Sequence, residues 1–536
     1  MLLRWLLVLH RWIGVVLCVL FLLWFASGIG MMYWGMPSVS ARDRLARSPN
    51  IDAGKVVLSP REAADRVGAT PAPGQIRLAT FDGRPAYRID QQVIYADTGE
   101  EQGTAGPFLR NRAAAAWTGQ STATATVESV RETDQWLVGS GLRNLRPLWK
   151  YSWPNGEQLY IGESGEVLQY TTPGSRLAAY VSAIPHWLYF TPLRKHQPVW
   201  IRVATYSAMI GTAGAVFGVI AGVWLYSPSK RYRFAGAPSR IPFRGWKRWH
   251  TIFGLVFGLA TITWTFSGSL AFLPFPSAQP ARLQAAAGQR QGGAGQRQGG
   301  PGQVPGGRRG GNPGVAAALR GRVDLAAFEP VHPRDLLARF PDLGIRELTF
   351  TSFAGQPLYA ASLADGSSCL IALDGRVVDG FDRTQIIDIV KKAARNPQAV
   401  ETRIVEQYDL HYLDRTRQRP LPVILALMHD AENTRYYIDP KTATVVGTSS
   451  DRNQWRRWAY NGLHSLNFPW LYNYRPLWDI VVITFMLGGM ALSVTSMTLA
   501  WRAVGRKVRR AFGSRAPLAG EEANAAGSPR PASSQG

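Results

Sequence analysis

Four long apolar stretches stand out in the hydrophobicity pattern, and each is long enough to cross a membrane. They cover residues 3–32, 199–226, 251–273 and 478–501. At a rise of about 1.5 Å per residue, each predicted helix can span a hydrocarbon core of about 30 Å. Two long polar inserts separate the first helix from the second and the third from the fourth. The pattern therefore predicts a membrane protein with four helices and two large soluble inserts.

Both inserts contain a helix pattern and several strand patterns. In the first insert, LSPREAADRVGA predicts a helix, because Ser59 can cap its N-terminus and Pro60 and Glu62 suit the first turn. Alternating segments such as QIRLATFDG, RPAYRID and EQLYIGE predict strands, as do RELTFTSF, QPLYAASL and TRYYID in the second insert. The second insert also has the helix pattern RTQIIDIVKKAAR. Each insert is therefore predicted to be an α+β domain with a helix on a small antiparallel sheet.

The two halves of the chain also share spaced motifs. A histidine is followed by a glycine four residues on and by a Ser-Gly pair seventeen and eighteen residues on: His10, Gly14, Ser27 and Gly28, and again His250, Gly254, Ser267 and Gly268. A second set matches at equal spacing: His186 with His464, Pro198 with Pro476, and Trp200 with Trp478. These repeats predict an internal duplication, in which each half consists of helix, soluble insert and helix.

This organisation divides the chain into eight predicted segments. They are a transmembrane helix (1–34), a first α+β domain (35–184), an interfacial segment with the second helix (185–229), a basic loop (230–249), the third helix (250–274), a second α+β domain (275–462), an interfacial segment with the fourth helix (463–502) and a basic tail (503–536). The Gly/Gln/Arg-rich stretch 283–316 and the tail cannot bury a core and are expected to be disordered.

Positive charge lies beside the predicted spans. The chain has a formal net charge of +24, and residues 227–250 contain several Lys and Arg residues without an acidic one. Such charge marks the cytoplasmic side of a membrane and attracts anionic lipid. Both termini and the middle loop are therefore expected in the cytoplasm, with both inserts in the periplasm. This placement favours membrane lipid over nucleic acid as the partner of the basic residues.

Four histidines at matched positions are candidate ligands. His10 lies within the first predicted span, His250 directly precedes the third span at the start of the third predicted helix, and His186 and His464 precede the other two spans. A histidine inside a membrane span is costly to bury and usually has a partner or a function. Two histidines at matched positions of a repeat suggest a shared function, and the commonest shared function is ligation of one cofactor.

Other interpretations of these residues stay open at this point. His10 and His250 could be buried histidines that hydrogen-bond to each other or to backbone carbonyls, and His186 and His464 could lie among interfacial aromatic residues. The neighbouring glycines fit either a flat cofactor or close helix packing: Gly14, Gly254, Gly258 and Gly268. His196 lies opposite Tyr474 in the repeat and has no matched histidine, which disfavours it as a ligand. The other three histidines suit a solvated surface better than a metal site, although two have acidic neighbours: His332, His411 beside Asp409, and His429 beside Asp430 and Glu432.

Several segments resemble those of PepSY-domain membrane proteins with PepSY-associated transmembrane helices, a group that includes ferric-siderophore reductases of the bacterial inner membrane. The segments are SPREAAD, YADTGE, YIDPKT, RPLW and YNGLHSLNFPWLYNYRPLWDIVV. The resemblance covers most of residues 10–501 and implies that both inserts are PepSY-like periplasmic domains. It implies two b-type haems, one held by His10 and His250 on the cytoplasmic side and one by His186 and His464 on the periplasmic side. It also implies electron transfer across the membrane to a ferric siderophore or similar chelate, with release of Fe(II).

The sequence has no dinucleotide fingerprint, no HExxH motif and no nucleophile elbow. The electron donor is therefore expected to be another protein, a quinol or a soluble reductant. Two other classes of function stay open. One is a non-enzymatic binding or regulatory protein whose PepSY modules capture a peptide or partner. The other is a transporter of iron or its chelate, which the absence of a broken helix pair and of a midplane acidic residue disfavours.

Overall fold

The computed structural model describes residues 1–71, 74–89, 92–137, 142, 145–271, 313–394, 396–414, 417–451 and 457–513. Most of the predicted Gly/Gln/Arg-rich stretch, the last two residues of the predicted third span and the tail from residue 514 onward lie outside this part of the chain.

The described residues form fifteen α-helices. They are α1 (Leu2–Tyr33), α2 (Ala41–Arg47), α3 (Pro60–Arg66), α4 (Pro107–Thr118), α5 (Pro173–Val181), α6 (Ala183–Trp187), α7 (Thr191–Lys195), α8 (Gln197–Leu225), α9 (Gly245–Leu270), α10 (Pro313–Arg320), α11 (Pro333–Arg339), α12 (Arg383–Ala393), α13 (Leu463–Ser465), α14 (Pro469–Tyr472) and α15 (Leu477–Gly513). Four of these are long and apolar enough to cross a membrane, namely α1, α8, α9 and α15. The prediction of four membrane helices is confirmed.

The boundaries of some predicted segments are wrong. Helix α9 begins at Gly245, inside the predicted loop 230–249, because the segment GWKRW continues the helix. Helix α15 runs to Gly513, so the first part of the tail predicted to be disordered is helical. Its Arg and Lys residues are good helix formers. The disordered stretch predicted to end at residue 316 is helical from Pro313, where α10 begins with alanine-rich sequence.

Seventeen strands occur in the described residues. They are β1 (Ile76–Phe81), β2 (Arg84–Ile89), β3 (Gln92–Tyr95), β4 (Thr126–Val130), β5 (Leu148–Ser152), β6 (Gln158–Ile161), β7 (Val167–Thr171), β8 (Tyr232–Phe234), β9 (Ala237–Ser239), β10 (Glu347–Phe353), β11 (Gln356–Ser362), β12 (Ser368–Ala372), β13 (Val377–Val378), β14 (Val400–Val405), β15 (Val423–Met428), β16 (Arg435–Asp439) and β17 (Thr444–Ser449). All sheets are antiparallel, as predicted.

The two inserts share one sheet, which corrects the prediction of two separate domains at 35–184 and 275–462. The seven-stranded sheet has the order β13-β12-β11-β10-β1-β2-β3. Its central contact joins β1 of the first insert to β10 of the second, with Leu78 opposite Leu348. Each strand would otherwise be the unpaired edge of a smaller sheet, and an exposed edge is prone to non-native pairing. Pairing of β1 with β10 satisfies the backbone hydrogen-bonding groups along both edges.

A common hydrophobic core lies beneath the shared sheet. Helix α3 contributes Ala63 and helix α11 contributes Leu336, and both side chains are fully buried. They pack in one cluster with Leu78, Tyr87 and Phe350 from strands of both inserts. The N-terminus of α3 has the predicted capping box, with the Ser59 side chain accepting from the backbone of Glu62. Burial of each large side chain stabilises the fold by about 1.5–3 kcal/mol.

Each insert also forms a four-stranded sheet of its own. The first has the order β4-β5-β6-β7 and the second β14-β15-β16-β17. Helix α4 packs against the first sheet through Ala114, which clusters with Leu159. Helix α12, whose range matches the predicted helix, packs against the second through Ile386, which clusters with Ile424. The predicted helix-on-sheet arrangement therefore occurs once within each insert.

The chain divides into two compact units. Unit 1 consists of residues 1–25, 207–265 and 485–536, and unit 2 consists of residues 26–206 and 266–484. Unit 1 contains parts of the four membrane helices and the β8–β9 hairpin. Unit 2 contains the three larger sheets. Each unit contains one pair of the predicted histidine ligands.

Candidate functional site

His10 and His250 lie beside each other in unit 1, as the matched repeats predict. His10 belongs to α1 and His250 to α9, and their ring centroids are 5.9 Å apart with the ring planes tilted by 41°. Two membrane helices thus bring together imidazoles that are 240 residues apart in the sequence.

Hydrogen bonds determine which nitrogen of each ring carries the proton. His10 Nδ1 lies 2.8 Å from the carbonyl oxygen of Gly214, which can only accept. His250 Nδ1 lies 3.1 Å from the Thr495 hydroxyl, and that hydroxyl donates its own proton to the carbonyl of Leu492 at 2.8 Å. Both Nδ1 atoms are therefore donors, and in the neutral rings both Nε2 atoms carry the lone pair that a metal would need.

Gly218 provides the space that His10 occupies. A Cβ atom added at Gly218 would lie 2.4 Å from His10 Cε1, closer than side-chain atoms approach each other. By contrast, Cβ atoms at Gly14 and Gly254 would meet their nearest neighbours at 3.5 and 3.9 Å. Gly258 faces Val219, whose Cγ2 would lie 2.5 Å from an added Cβ, so this glycine serves close helix packing. The sequence does not predict the role of Gly218, whose only signal is its place in the glycine series of α8.

His186 and His464 form the corresponding pair in unit 2. Their ring centroids are 6.0 Å apart, and the ring planes are inclined by 64°. Ser27 Oγ lies 3.2 Å from His186 Nδ1, and Ser267 Oγ lies 3.1 Å from His464 Nδ1. The repeated Ser-Gly motif therefore contacts the second pair of histidines. The motif is visible in the sequence, but this contact with the histidines is not.

Two further residues border His464. The Tyr460 ring stacks on the His464 ring with centroids 5.2 Å apart and an interplanar angle of 13°. A Cβ atom at Gly268 would lie 3.5 Å from His464 Cε1, an ordinary van der Waals distance. The orientation of His464 is thus defined by a hydroxyl on one nitrogen and an aromatic ring on one face.

Both pairs have a separation that suits two ligands of one metal. A metal–imidazole bond is about 2.0–2.1 Å long, so two imidazoles on opposite sides of a metal have centroids about 6 Å apart. Haem brings its own equatorial nitrogens and takes axial ligands from the protein. Each pair could therefore hold a haem iron with its two Nε2 atoms. Among the described residues, no group of three or more His, Cys, Asp and Glu side chains could hold a metal ion.

Two histidines outside the pairs have structural contacts. His332 Nδ1 accepts from the backbone N–H of Arg334 at 3.1 Å and caps helix α11. His411 Nδ1 lies 3.3 Å from the Ser449 hydroxyl. Its neighbour Asp409 accepts from the backbone N–H of His411 at 2.8 Å. Burial lowers the pKa of both imidazoles. These contacts give His332 and His411 roles in the fold.

The last two histidines lie at the surface. His429 is about half exposed, with a side-chain exposure of 51%, and its Nε2 atom lies 3.7 Å from the carboxylate of Glu401. Its neighbour Asp430 accepts hydrogen bonds from the backbone and the hydroxyl of Thr434. His196 is exposed. The exposure of His429 agrees with its prediction as a solvated surface residue.

An aromatic groove lies in unit 2 next to the segment that carries His464. It has a volume of about 650 Å³ and is lined in part by Trp458, Phe468 and Trp470. The rings of Phe468 and Trp470 stack with centroids 5.9 Å apart. Arg403 and Asp409 add opposite charges to the wall. From the sequence, the aromatic residues near His464 are expected at the membrane interface, and this groove is not predicted.

Comparison with known proteins supports the predicted family of PepSY-associated membrane proteins. No curated protein matches the chain. The family model of the PepSY-associated TM region matches residues 7–412, a segment that includes both inserts in large part and the candidate ligands His10, His186 and His250. Since this match covers well over half of the sequence, the chain belongs to the family of the PepSY-associated TM region.

Proposed function

We propose that the protein is a haem-containing inner-membrane protein that moves electrons across the membrane to a ferric chelate in the periplasm. The observation that carries this proposal is the presence of two histidine pairs, each built from sequence-distant segments and each with ring centroids about 6 Å apart. When bound, haem supplies one-electron chemistry at each pair. Membership of the PepSY-associated family supports the membrane location and leaves the cofactor to be tested.

The protein groups around the histidines support ligation through Nε2. Metal-binding histidines usually donate the other ring N–H to a carbonyl, carboxylate or water, which fixes the tautomer and the ring orientation. The Gly214 carbonyl performs this task for His10, and the Thr495 hydroxyl performs it for His250. In the second pair, Ser27 and Ser267 lie at the corresponding distance from Nδ1. The similar serine contacts in both halves also support an internal duplication.

The proposed membrane topology follows from the distribution of charged residues along the chain. The basic β8–β9 hairpin and the basic end of α15 lie in the cytoplasm, and both PepSY-like inserts lie in the periplasm. On this placement the His10–His250 pair is the cytoplasmic centre and the His186–His464 pair is the periplasmic centre. A cytoplasmic protein, a quinol or a soluble reductant supplies the electrons.

The aromatic groove is the proposed binding site for the chelate. Its volume of about 650 Å³ falls within the range of about 300–1,000 Å³ that is common for ligand pockets. Arg403, whose side chain is 62% exposed, can attract an anionic chelate, and the Trp470 ring offers an apolar surface. One electron converts each Fe(III) to Fe(II), which binds hard oxygen ligands less tightly and leaves the chelate.

Absorption spectroscopy of the detergent-purified protein from haem-replete cells tests the haem assignment. We expect about two haems per chain, with a Soret band that shifts and sharp α and β bands that appear on reduction by dithionite. His10→Ala should lower the haem content by about one per chain, and His464→Ala should do the same at the other centre. His196→Ala serves as the control and should leave the spectrum unchanged. A colourless wild-type protein would contradict the proposal and favour a non-enzymatic binding protein.

Reoxidation of the reduced protein by ferric siderophores tests the substrate. The released Fe(II) is captured by an Fe(II)-specific chelator and followed by absorbance. Arg403→Gln and Trp470→Ala should raise the half-saturating chelate concentration without changing the haem spectrum. Arg376→Gln, a charge change at an exposed residue of the second insert, is the matched control. Equal rates for all ferric chelates and all variants would show that reduction does not depend on this groove.

A further inference from the structure

A small basic pocket lies in the hairpin that connects two membrane helices. Strands β8 and β9 join the end of α8 to the start of α9. The pocket has a volume of about 290 Å³, and its wall includes the side chains of Lys230, Arg240 and Arg248. Three cations thus border one cavity within a short connecting segment, and neither histidine pair is part of it.

Hydrogen bonds hold two of these cations in place. Ser239 is 7% exposed, and its hydroxyl donates to the Ile241 carbonyl at 2.9 Å and accepts from Arg248 Nη1 at 3.1 Å. Arg240 Nη1 lies 3.5 Å from the hydroxyl of Tyr226. The backbone N–H of Ser227 donates to the Arg240 carbonyl at 2.9 Å. This hydrogen bond joins the residues that flank the β8–β9 hairpin. The pocket is therefore shaped by hydrogen bonds within the connection between α8 and α9.

The positive charge of the pocket has no protein counter-charge. Residues 227–250 contain no Asp or Glu. In the part of the chain that the structure describes, no carboxylate forms an ion pair with Lys230, Arg240 or Arg248. Arg248 also lies in the first turn of α9, where the helix dipole disfavours a cation. A bound anion would offset both the uncompensated positive charge of the pocket and the unfavourable position of Arg248 in the helix dipole.

Aromatic side chains indicate the depth at which the pocket lies. Trp224 near the end of α8 is 55% exposed, and Trp246 and Trp249 at the start of α9 are 42% and 53% exposed. Tryptophan is enriched at the membrane–water interface, at the level of the lipid headgroups. Because the basic pocket lies in the connection between α8 and α9, beside these tryptophans, we expect it at the depth where lipid phosphates occur.

We propose that this pocket binds a phosphate group, with Lys230, Arg240 and Arg248 as the contacting residues. The group can belong to the headgroup of an anionic lipid or to free phosphate, since both present the same oxygen atoms to the three cations. The exposed tryptophans favour the lipid. This site is independent of the haem proposal, because it needs no electron transfer and no histidine.

Ligand-induced thermal stabilisation of the full-length protein in a neutral detergent tests the site. The three probes are a short-chain phosphatidylglycerol, the matching phosphatidylcholine and inorganic phosphate, all at about 0.15 M salt, where the screening length is about 8 Å. Lys230→Gln/Arg240→Gln removes two pocket charges. Arg233→Gln/Arg244→Gln removes two charges from the same segment outside the pocket wall and is the matched control. The melting temperature without ligand reports whether each variant folds.

Each charge near a membrane surface contributes about 1 kcal/mol to the binding of anionic lipid, which is about a fivefold change in affinity. We expect the pocket variant to bind phosphatidylglycerol about 25-fold more weakly than the wild type and the control variant to be affected much less. The same pattern with inorganic phosphate would identify a free-phosphate site. The proposal would be overturned if neither phosphatidylglycerol nor inorganic phosphate bound. It would also be overturned if both double variants lost affinity equally. If the double variant does not fold, Lys230→Gln alone should show about a fivefold loss.

Discussion

The Nδ1 atom of His250 lies 3.1 Å from the hydroxyl oxygen of Thr495, and this contact determines the tautomer of the histidine. The Thr495 hydroxyl has already donated its proton to the Leu492 carbonyl, so it can only accept from the ring. His10 reaches the same state through the carbonyl of Gly214. Two different partners therefore leave Nε2 as the unprotonated nitrogen of both neutral rings.

On the proposed function, substitution of Thr495 should weaken haem binding by the His10–His250 pair without removing either histidine. Thr495→Val keeps the shape of the side chain but removes the hydroxyl that accepts from Nδ1. Loss of such a partner typically lowers metal affinity by about 10–100-fold. We expect faster transfer of haem from this centre to a haem-scavenging protein, followed by absorbance. Thr498→Val, an exposed change one turn later on α15, is the control. Equal haem transfer from both variants would argue against the role of Thr495.

A methyl group at Gly218 should displace His10. In Gly218→Ala, Cβ would lie 2.4 Å from His10 Cε1, and such overpacking costs about 1–3 kcal/mol. This cost exceeds the gain of about 0.5–1 kcal/mol that alanine normally gives within a helix. We expect loss of haem from the His10–His250 pair while the spectrum of the second pair persists. Gly14→Ala, where the nearest atom is 3.5 Å away, should retain both. Full haem content in Gly218→Ala would contradict this packing.

The contact between β1 and β10 can be tested by cross-linking. Arg77 lies opposite Thr349 in the observed register. In a background without Cys18 and Cys369, the pair Arg77→Cys and Thr349→Cys should form a disulfide, because facing residues of adjacent strands have suitable Cα distances of about 4.5–5.5 Å. Loss of free thiols in the intact protein measures the bond. The pair Arg77→Cys and Ser352→Cys lies out of register and should stay reduced. Oxidation of both pairs alike would contradict the register.

The second insert should contain an acid-sensitive contact at His411. Burial lowers the pKa of His411 below the ordinary value of 6.5, and the charge of Arg435 lowers it further. Below about pH 6.5 the unfolded chain therefore binds a proton that the folded chain binds only at lower pH, so acid destabilises the fold. The loss of melting temperature between about pH 7.5 and pH 5 should be smaller in His411→Gln than in the wild type.

The wild-type protein provides the comparison for this pH dependence. An unchanged profile in His411→Gln would show that the burial of His411 does not affect acid stability.

Local signals in the sequence predicted the elements well. Four apolar runs matched the membrane helices because bilayer thickness imposes their length. The Ser59 cap and the helix after Asp382 follow from short-range chemistry, and both occur. Strand β4 was missed because TVESV is largely exposed and carries a charge, so it lacks the alternating pattern. The β1–β10 pairing was missed because register between distant strands leaves no local pattern.

The histidine pairs could be predicted as pairs because the repeated spacing identified matched positions. Their partners could not be predicted. Gly214 acts through its backbone carbonyl, which any residue possesses, and Gly218 acts through the absence of a side chain. The contact from Ser27 to His186 joins residues that are 159 positions apart. These partners depend on how the helices pack, which only the three-dimensional structure determines.

The pairing of β1 with β10 has a consequence for biosynthesis. Leu78 and Leu348 are about 270 residues apart, and two membrane helices are made between them. At about 5–20 residues per second, a ribosome needs roughly 15–50 s to complete β10 after β1 has emerged. During this interval β1 is an open strand edge without its final neighbour. The first insert therefore depends on protection by chaperones, or on its own transient contacts, until the second half of the chain has been synthesised.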